Sequence, residues 1–206
     1  APREMHPLTL FPEAKSVIVY ANRILKGCYK GIQEGTDWST YWIYGYGTGL
    51  YTSLSRAGEA INGLLEEHGY EGVHSPGSHT LLDEAPPARA PLAKDKLPPC
   101  VTLHMRVAAA LAGLGEPGWS KVFLTPEFGP RQRFEIILTD AELEQDPLFD
   151  GQLCDHCQAC VRTCPGHALG GERESVTCEG REFSWGRVNY GKCKVTHWGL
   201  NPLASP

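Results

Sequence analysis

The sequence has no long hydrophobic run. None approaches the roughly 18 consecutive apolar residues that a membrane-spanning helix needs, so no such helix and no membrane partner are expected. It has no basic excess either: 19 Lys and Arg stand against 24 Asp and Glu, for a formal net charge of −5. With no block of like charges, the electrostatic footprint of a nucleic-acid or polyelectrolyte binder is missing. The first residues, APREMHPLTLFPEAK, lack the apolar core of a secretion signal and a twin-arginine pair. The expected setting is therefore the cytoplasm, unless processing removed a leader. There is no internal repeat. What the chain does have is 206 residues with 41% hydrophobic and 21% charged content, enough to bury a real core as one domain with an appendage or as two small domains.

Local patterns divide the chain near residue 146. SVIVYA at 16–21 is a short β-branched run and predicts a buried strand near the centre of a sheet. An aromatic and glycine-rich stretch follows, and then apolar residues at 54, 57, 61, 64 and 65 predict an amphipathic helix of about four turns ending at Gly69. Residues 74–99 are proline-rich and predict an irregular connection of the kind that borders sites. VTLHMRVAAALAGLG predicts a second helix, and KVFLT with RFEIILTD predicts two strands joined by the turn PEFGPRQ. Beyond QDPLFDGQL the sequence becomes rich in Gly, Cys and short polar segments, the mark of a small module ordered mainly by a bound cofactor.

Eight cysteines are present, and LCDHCQACVRTCPGHAL places four of them at 154, 157, 160 and 164 with Pro165 after the last. In a chain of this length such tight, regular spacing points to metal ligation rather than a disulfide framework. C-x2-C-x2-C-x3-C-P is the ligand run of bacterial ferredoxins. Two-residue gaps let successive thiolates curl around one cubane with the intervening amides turned toward the sulfurs. Zinc is the competing metal, but structural zinc sites pair C-x2-4-C units across a longer gap. Cys154, Cys157 and Cys160 are thus expected on one [4Fe–4S] cluster. Cys164 has two readings, the fourth ligand of that cluster or a ligand of another one, and it is expected to open a helix with Pro165 in the first turn. Cys193 and Cys178 are the remote candidates for a missing ligand, Cys193 preferred; one complete cubane is easy to build, two are hard. Cys28 and Cys100 read as small buried hydrophobes. His156, His167 and His197 flank the cysteines and read as surface or supporting groups.

The segment just before the cysteines, AAALAGLGEPGWSKVFLTPEFGPRQRFEIILTDAELEQDP, resembles the corrinoid iron–sulfur superfamily of epoxyqueuosine reductases and reductive dehalogenases. The resemblance lies in the A-G-L-G-x-x-G run at Ala112 to Gly118, the segment Leu124 to Arg133, the I-x-T-D-x-x-L run at Ile137 to Leu143, and the cysteines in that order. LFPEAKSVIVYA and LLEEHGYEGVHSP are similar to the family's first strand and to a later helix and loop. The resemblance implies an α/β, nitroreductase-like core over residues 1–146 that cradles a base-off cobalamin. It also implies a small C-terminal ferredoxin-type module over residues 147–206 that delivers electrons to cobalt.

On the same resemblance the glycine-rich turns become backbone approaches to the corrin, which makes Gly113, Gly115, Gly118, Gly129 and Arg131 the implied cofactor contacts. Plain turn geometry is the other account of those glycines. A tyrosine is the usual proton source in the dehalogenases. Tyr41, Tyr44, Tyr46 and Tyr51 crowd one stretch, where a cation such as Lys121 or Arg131 would lower a phenol's pKa. Tyr46 and Lys121 are the expected catalytic pair, with His104 and His79 as alternatives. Three departures stand out. The aspartate of the epoxyqueuosine reductases falls near Pro99 and Cys100, with Asp95 close but not aligned. Trp119 occupies the place where Lys or Arg commonly follows the last glycine, and the family's second cysteine motif has only Cys193 in a compatible position. The expected function is an iron–sulfur redox protein that takes single electrons from a low-potential donor, such as ferredoxin or flavodoxin, and passes them to a corrinoid or a bound small-molecule substrate. The alternatives are a non-enzymatic electron-transfer protein and a corrinoid-binding or reactivating accessory protein.

Overall fold

The structure, a computed structural model, describes residues 6–74 and 103–197. His79, Asp95, Pro99, Cys100 and most of the proline-rich connection lie outside the described residues. In chain order the elements are α1 (Pro7–Leu10), β1 (Ser16–Arg23), α2 (Lys26–Glu34), a π turn (Tyr41–Tyr46), α3 (Thr48–Glu67), β2 (Gly72–His74) and α4 (Met105–Leu111). There follow β3 (Glu116–Pro117), β4 (Phe123–Leu124), β5 (Gln132–Thr139), α5 (Ala159–Arg162), β6 (Leu169–Cys178), β7 (Arg181–Val188) and α6 (Tyr190–His197). The result is a mixed α/β chain in two units, one comprising Ala1–Gly113 with Arg131–Pro147 and the other Leu114–Pro130 with Leu148–Pro206. The second unit thus takes in an excursion from the middle of the chain as well as the segment that follows Pro147.

The first unit is built on an antiparallel sheet ordered β1-β5-β2. Among the described residues the central strand is β5, not β1. Its sequence QRFEIILT is buried on both faces, with Ile137, Leu138 and Thr139 fully enclosed, whereas β1 alternates between partial burial and exposure. A β-branched run fits either position equally well, because strand propensity reports a pleated surface and not the number of neighbours. β1 pairs with β5 from Ser16↔Thr139 to Arg23↔Gln132, and β2 pairs with its end from Gly72↔Thr139 to His74↔Ile137.

Helix α3 covers the sheet with Leu54, Gly58 and Leu65. It runs 20 residues, longer than its apolar stripe alone predicts, because it begins directly out of the π turn. Leu65, Ile137 and Ala141 form a core cluster with Ile18, Tyr20 and Ile61 packed against it, each large buried side chain contributing about 1.5–3 kcal/mol. A second cluster of Ile24, Cys28 and Leu50 encloses Cys28, as its reading as a small hydrophobe requires.

The second unit holds two small antiparallel pairs. β4 pairs with β3, through Glu116↔Leu124 and Pro117↔Phe123, rather than with β5. The expected hairpin of KVFLT with RFEIILTD is therefore absent, and its two halves belong to different units. β6 and β7 form a hairpin whose turn, Glu179 and Gly180, takes positive φ at both positions, the type I′ geometry that matches strand twist. Trp185, Phe183, Phe123 and Trp119 are buried here. The segment thus has a hairpin and aromatic packing of its own, more regular structure than its sequence suggests.

Candidate metal centre and flanking groups

The cysteine loop enters at Leu153 and Cys154, whose backbone N–H groups both donate to Glu116 Oε1, at 2.6 and 2.7 Å. The N–H of Trp119 donates to Cys154 Sγ at 3.3 Å, and the Trp119 ring lies 5.2 Å from that of His156. Asp155 Oδ1 accepts from the N–H of Cys157 at 3.0 Å, closing a local turn, and Arg162 donates to the Cys157 carbonyl at 2.8 Å. His156 and Gln158 both adopt left-handed backbone, with φ of 55° and 57°. Each reversal turns the chain between successive cysteines, and the four-residue α5 then carries Cys160. Burial raises the Cys160 thiol above its ordinary value, and the neighbouring thiols of Cys154 and Cys157 push it further.

Cys164 has different surroundings. Burial alone would raise its thiol, but the backbone N–H groups of Ala168, Leu169, Gly166 and His167 turn toward its sulfur and bring it below the ordinary value. The Ala168 N–H donates to Sγ at 3.3 Å. Cys164 does not open a helix. It follows α5, and Pro165 begins a turn closed by the His167 N–H on the Cys164 carbonyl at 3.0 Å, which feeds β6. Gly166 lies against α6: a side-chain carbon there would come within 3.2 Å of the Lys192 carbonyl. Cys193 is on that helix and exposed, while Cys178 sits at the tip of the β6–β7 hairpin, at the opposite end of a ten-residue strand from Leu169. At about 3.3 Å per residue that strand separates its ends by roughly 30 Å.

The donor set suits an iron–sulfur cluster. Three thiols share one loop, and two sulfurs of the run accept backbone N–H groups, as iron-bound thiolates do. Among the described residues no three Cys, His, Asp or Glu side chains close on a common point.

Lys121 is buried in the second unit, 4% exposed, and its ammonium faces the rings of Trp185 and Tyr190 at 5.0 Å each. It lies 2.5 Å from Tyr190 Oη and 3.6 Å from Glu174 Oε2. Tyr46 belongs to the first unit. There it stands beside Arg133, whose guanidinium lies 5.7 Å from the Tyr46 ring and donates to Tyr41 Oη at 3.2 Å. Burial raises the Tyr51 phenol, and Arg133 opposes that shift. The cation among the tyrosines is thus Arg133, and the phenol beside Lys121 is Tyr190. Tyr44 is exposed. His104 caps α4 by accepting the Val107 N–H at 3.2 Å.

The implied corrin contacts have accounts within the chain itself. Gly115, at φ 149°, packs against the Leu124 carbonyl across β3–β4, and a side chain at Gly118 would press on Leu124. Gly129, at φ 57°, closes a tight turn with Thr125. Gly113, at φ 78°, ends α4, and the Arg131 guanidinium lies 4.5 Å from the Tyr29 ring. None of these positions needs a corrin to explain it.

No family model matches the chain. Tetrachloroethene reductive dehalogenases match it in sequence. That of Sulfurospirillum multivorans is 31% identical over 111 residues, 50% of this chain and 22% of that protein. That of Desulfitobacterium hafniense is 39% identical over 69 residues, 32% of this chain and 12% of the other. The matched region is thus less than a quarter of either relative's length. In fold, the chain is similar to an epoxyqueuosine reductase, with a TM-score of 0.54 and 17% identity over 82% of this chain and 40% of that one. It is also similar to a catabolic reductive dehalogenase in complex with 3-bromo-4-hydroxybenzoic acid, with a TM-score of 0.56 and 19% identity over 87% of this chain and 22% of that one. Another reductive dehalogenase structure, tied to B12-dependent dehalogenation, gives a TM-score of 0.55. No described helix is long and apolar enough to cross a membrane. In sequence the chain is similar to reductive dehalogenases, and in fold to these and to epoxyqueuosine reductase, the same superfamily that its motifs resemble.

Proposed function

We propose that this chain is the electron-handling part of a reductive-dehalogenase-like oxidoreductase. The observation that carries the reading is the cysteine loop: Cys154, Cys157 and Cys160 stand at two-residue gaps on one loop, which is clamped by Glu116 and has its first sulfur capped by the Trp119 N–H. These three would hold a [4Fe–4S] cluster, with the fourth ligand from Cys164 or Cys193; Cys178, at the hairpin tip, is left out of the set. A cluster bound there supplies one-electron transfer at low potential. The chain's own residues fix the loop, direct N–H groups at sulfur and set the Trp119 ring beside His156. A second cluster on Cys164 is supported by its separate nest of N–H groups.

The first unit is proposed as a nitroreductase-like core. Its guanidinium at Arg133, among Tyr41, Tyr46 and Tyr51, suits proton delivery and the holding of a leaving anion. The electron acceptor is proposed to be a corrinoid or a bound small-molecule substrate, and the donor a low-potential protein such as ferredoxin or flavodoxin in the cytoplasm. Anaerobic reconstitution with iron and sulfide tests the cluster. About four irons per chain is expected for one cubane and about eight for two, while zinc alone would sink the redox reading. Cobalamin added to the reconstituted protein should change the corrinoid spectrum. An unchanged spectrum with intact iron would favour a pure electron carrier.

A further inference from the structure

The turn Gly118–Lys121 joins two halves of the second unit. Toward the cysteines, the Trp119 N–H reaches Cys154 Sγ, and three residues earlier Glu116 holds the start of the loop. Toward the hairpin, the Trp119 carbonyl accepts the Gly186 N–H at 2.8 Å, and Lys121 inserts its ammonium between Trp185, Tyr190 and Glu174. Lys121 does so with left-handed backbone, φ 63°, which a lysine keeps only where its surroundings hold it. Tyr190 is the first residue of α6, the helix that lies against Gly166 beside Cys164. One side chain therefore ties the turn that caps Cys154 to the helix that backs Cys164.

The charge itself is unusual. At 4% exposure the ammonium is almost wholly shielded from water, and Glu174 is shared: its carboxylate also accepts from Trp185 Nε1 at 3.2 Å and lies 3.9 Å from Arg187 Nε. Arg187 also pairs with Glu172 at 3.0 Å, so two cations are matched by two carboxylates, and Lys121 is the buried member of the group. Two chain steps separate Lys121 from Trp119, whose N–H reaches Cys154 Sγ, and burial leaves the ammonium poorly screened by water.

We propose that Lys121 is a fixed buried charge that sets the reduction potential of the cluster held by Cys154, Cys157 and Cys160, a positioning residue and not a proton donor. The inference rests on the reading given under Proposed function. Reduction adds one electron, taken from the low-potential donor, and moves no proton, so the site gains one negative charge. A buried cation favours that state, and its removal disfavours it.

The test compares the K121M, K121R and E174Q variants with the unmodified chain, each reconstituted anaerobically, scored for iron and titrated reductively under electron paramagnetic resonance. K121M is expected to keep its iron while its reduction equilibrium falls about tenfold, which is about 59 mV for one electron. K121R should restore most of the shift, and E174Q should move the midpoint upward. An unmoved midpoint in iron-replete K121M overturns the proposal. Where K121M loses its iron or its fold, E174Q decides instead, and an unmoved midpoint there overturns it too. An unmodified chain that takes up no iron fails the earlier reading first and this one with it, so the two failures are separated by that single count.

Discussion

Replacing Glu116 with alanine removes one carboxylate oxygen that accepts two consecutive N–H groups, those of Leu153 and Cys154. A hydrogen bond to a charged group contributes about 1.5–3 kcal/mol, and an N–H left without a partner costs more where water cannot reach it. Glu116, Leu153 and Cys154 are all half-buried, so water compensates in part and the lower end applies, about 3 kcal/mol for the pair. At 1.4 kcal/mol per tenfold this lowers the population of the closed loop by about a hundredfold. The assay is iron release from the reconstituted protein to a chelator, followed under anaerobic conditions beside far-ultraviolet circular dichroism. E116A should release iron about a hundredfold faster with its secondary structure intact, and E116Q, which keeps a neutral acceptor, about tenfold faster. Release from E116A at the unmodified rate would refute the clamp, and equal rates for the two variants would refute the role given to the charge.

Further outcomes follow from other parts of the chain. Cys154→Ser, Cys157→Ser and Cys160→Ser should each abolish most iron uptake, while Cys178→Ser, at the hairpin tip, should leave it whole; iron per chain decides. Gly58→Ala drives a methyl group into Tyr20 Oη and His74 Nε2, which are bonded to each other at 2.7 Å. It should cost about 1–3 kcal/mol, read as a lower denaturant midpoint at constant slope. Burial, aided by Glu135, raises the Tyr20 phenol to about 12. The folded state therefore keeps a proton that the unfolded chain loses near pH 10, and stability is full below about pH 10 and falls as pH rises toward 12. Tyr20→Phe should flatten that alkaline fall in denaturation midpoints, and an unchanged slope would count against the buried phenol.

Much of this was legible in the sequence because it is local. The cysteine spacing fixes which thiols share a loop, the apolar stripe marks α3, and the glycine pair after α4 marks its end. Partnership across the chain was not legible. RFEIILTD and SVIVYA read alike as apolar strands, and only the fold makes the first the central strand and the second its neighbour. KVFLT shows no sign that it will pair with Glu116–Pro117. Arg133 in the Tyr41–Tyr46 group, Tyr190 beside Lys121 and Glu116 beneath the cysteine loop were all missed for the same reason. Each is an ordinary polar residue made specific by a contact more than 30 positions away. The nearest signal was the cation expected beside a tyrosine, which identified the chemistry and not the residue.

The two units carry different chemistry. Among the described residues the first has a single cysteine, buried Cys28, and gathers its reactive groups as phenols around one guanidinium. The second holds the remaining described thiols, the N–H groups directed at them and the caged lysine. In the proposed reaction, reductive removal of a leaving group would consume both electrons and a proton, and the groups proposed for each belong to different units. Substitutions in the second unit should therefore move iron content and potential without altering proton dependence. Substitutions at Arg133, Tyr41 or Tyr46 should leave both iron and potential at their unmodified values. A phenol-unit variant with a shifted cluster potential would show that the two sets of groups do not act independently.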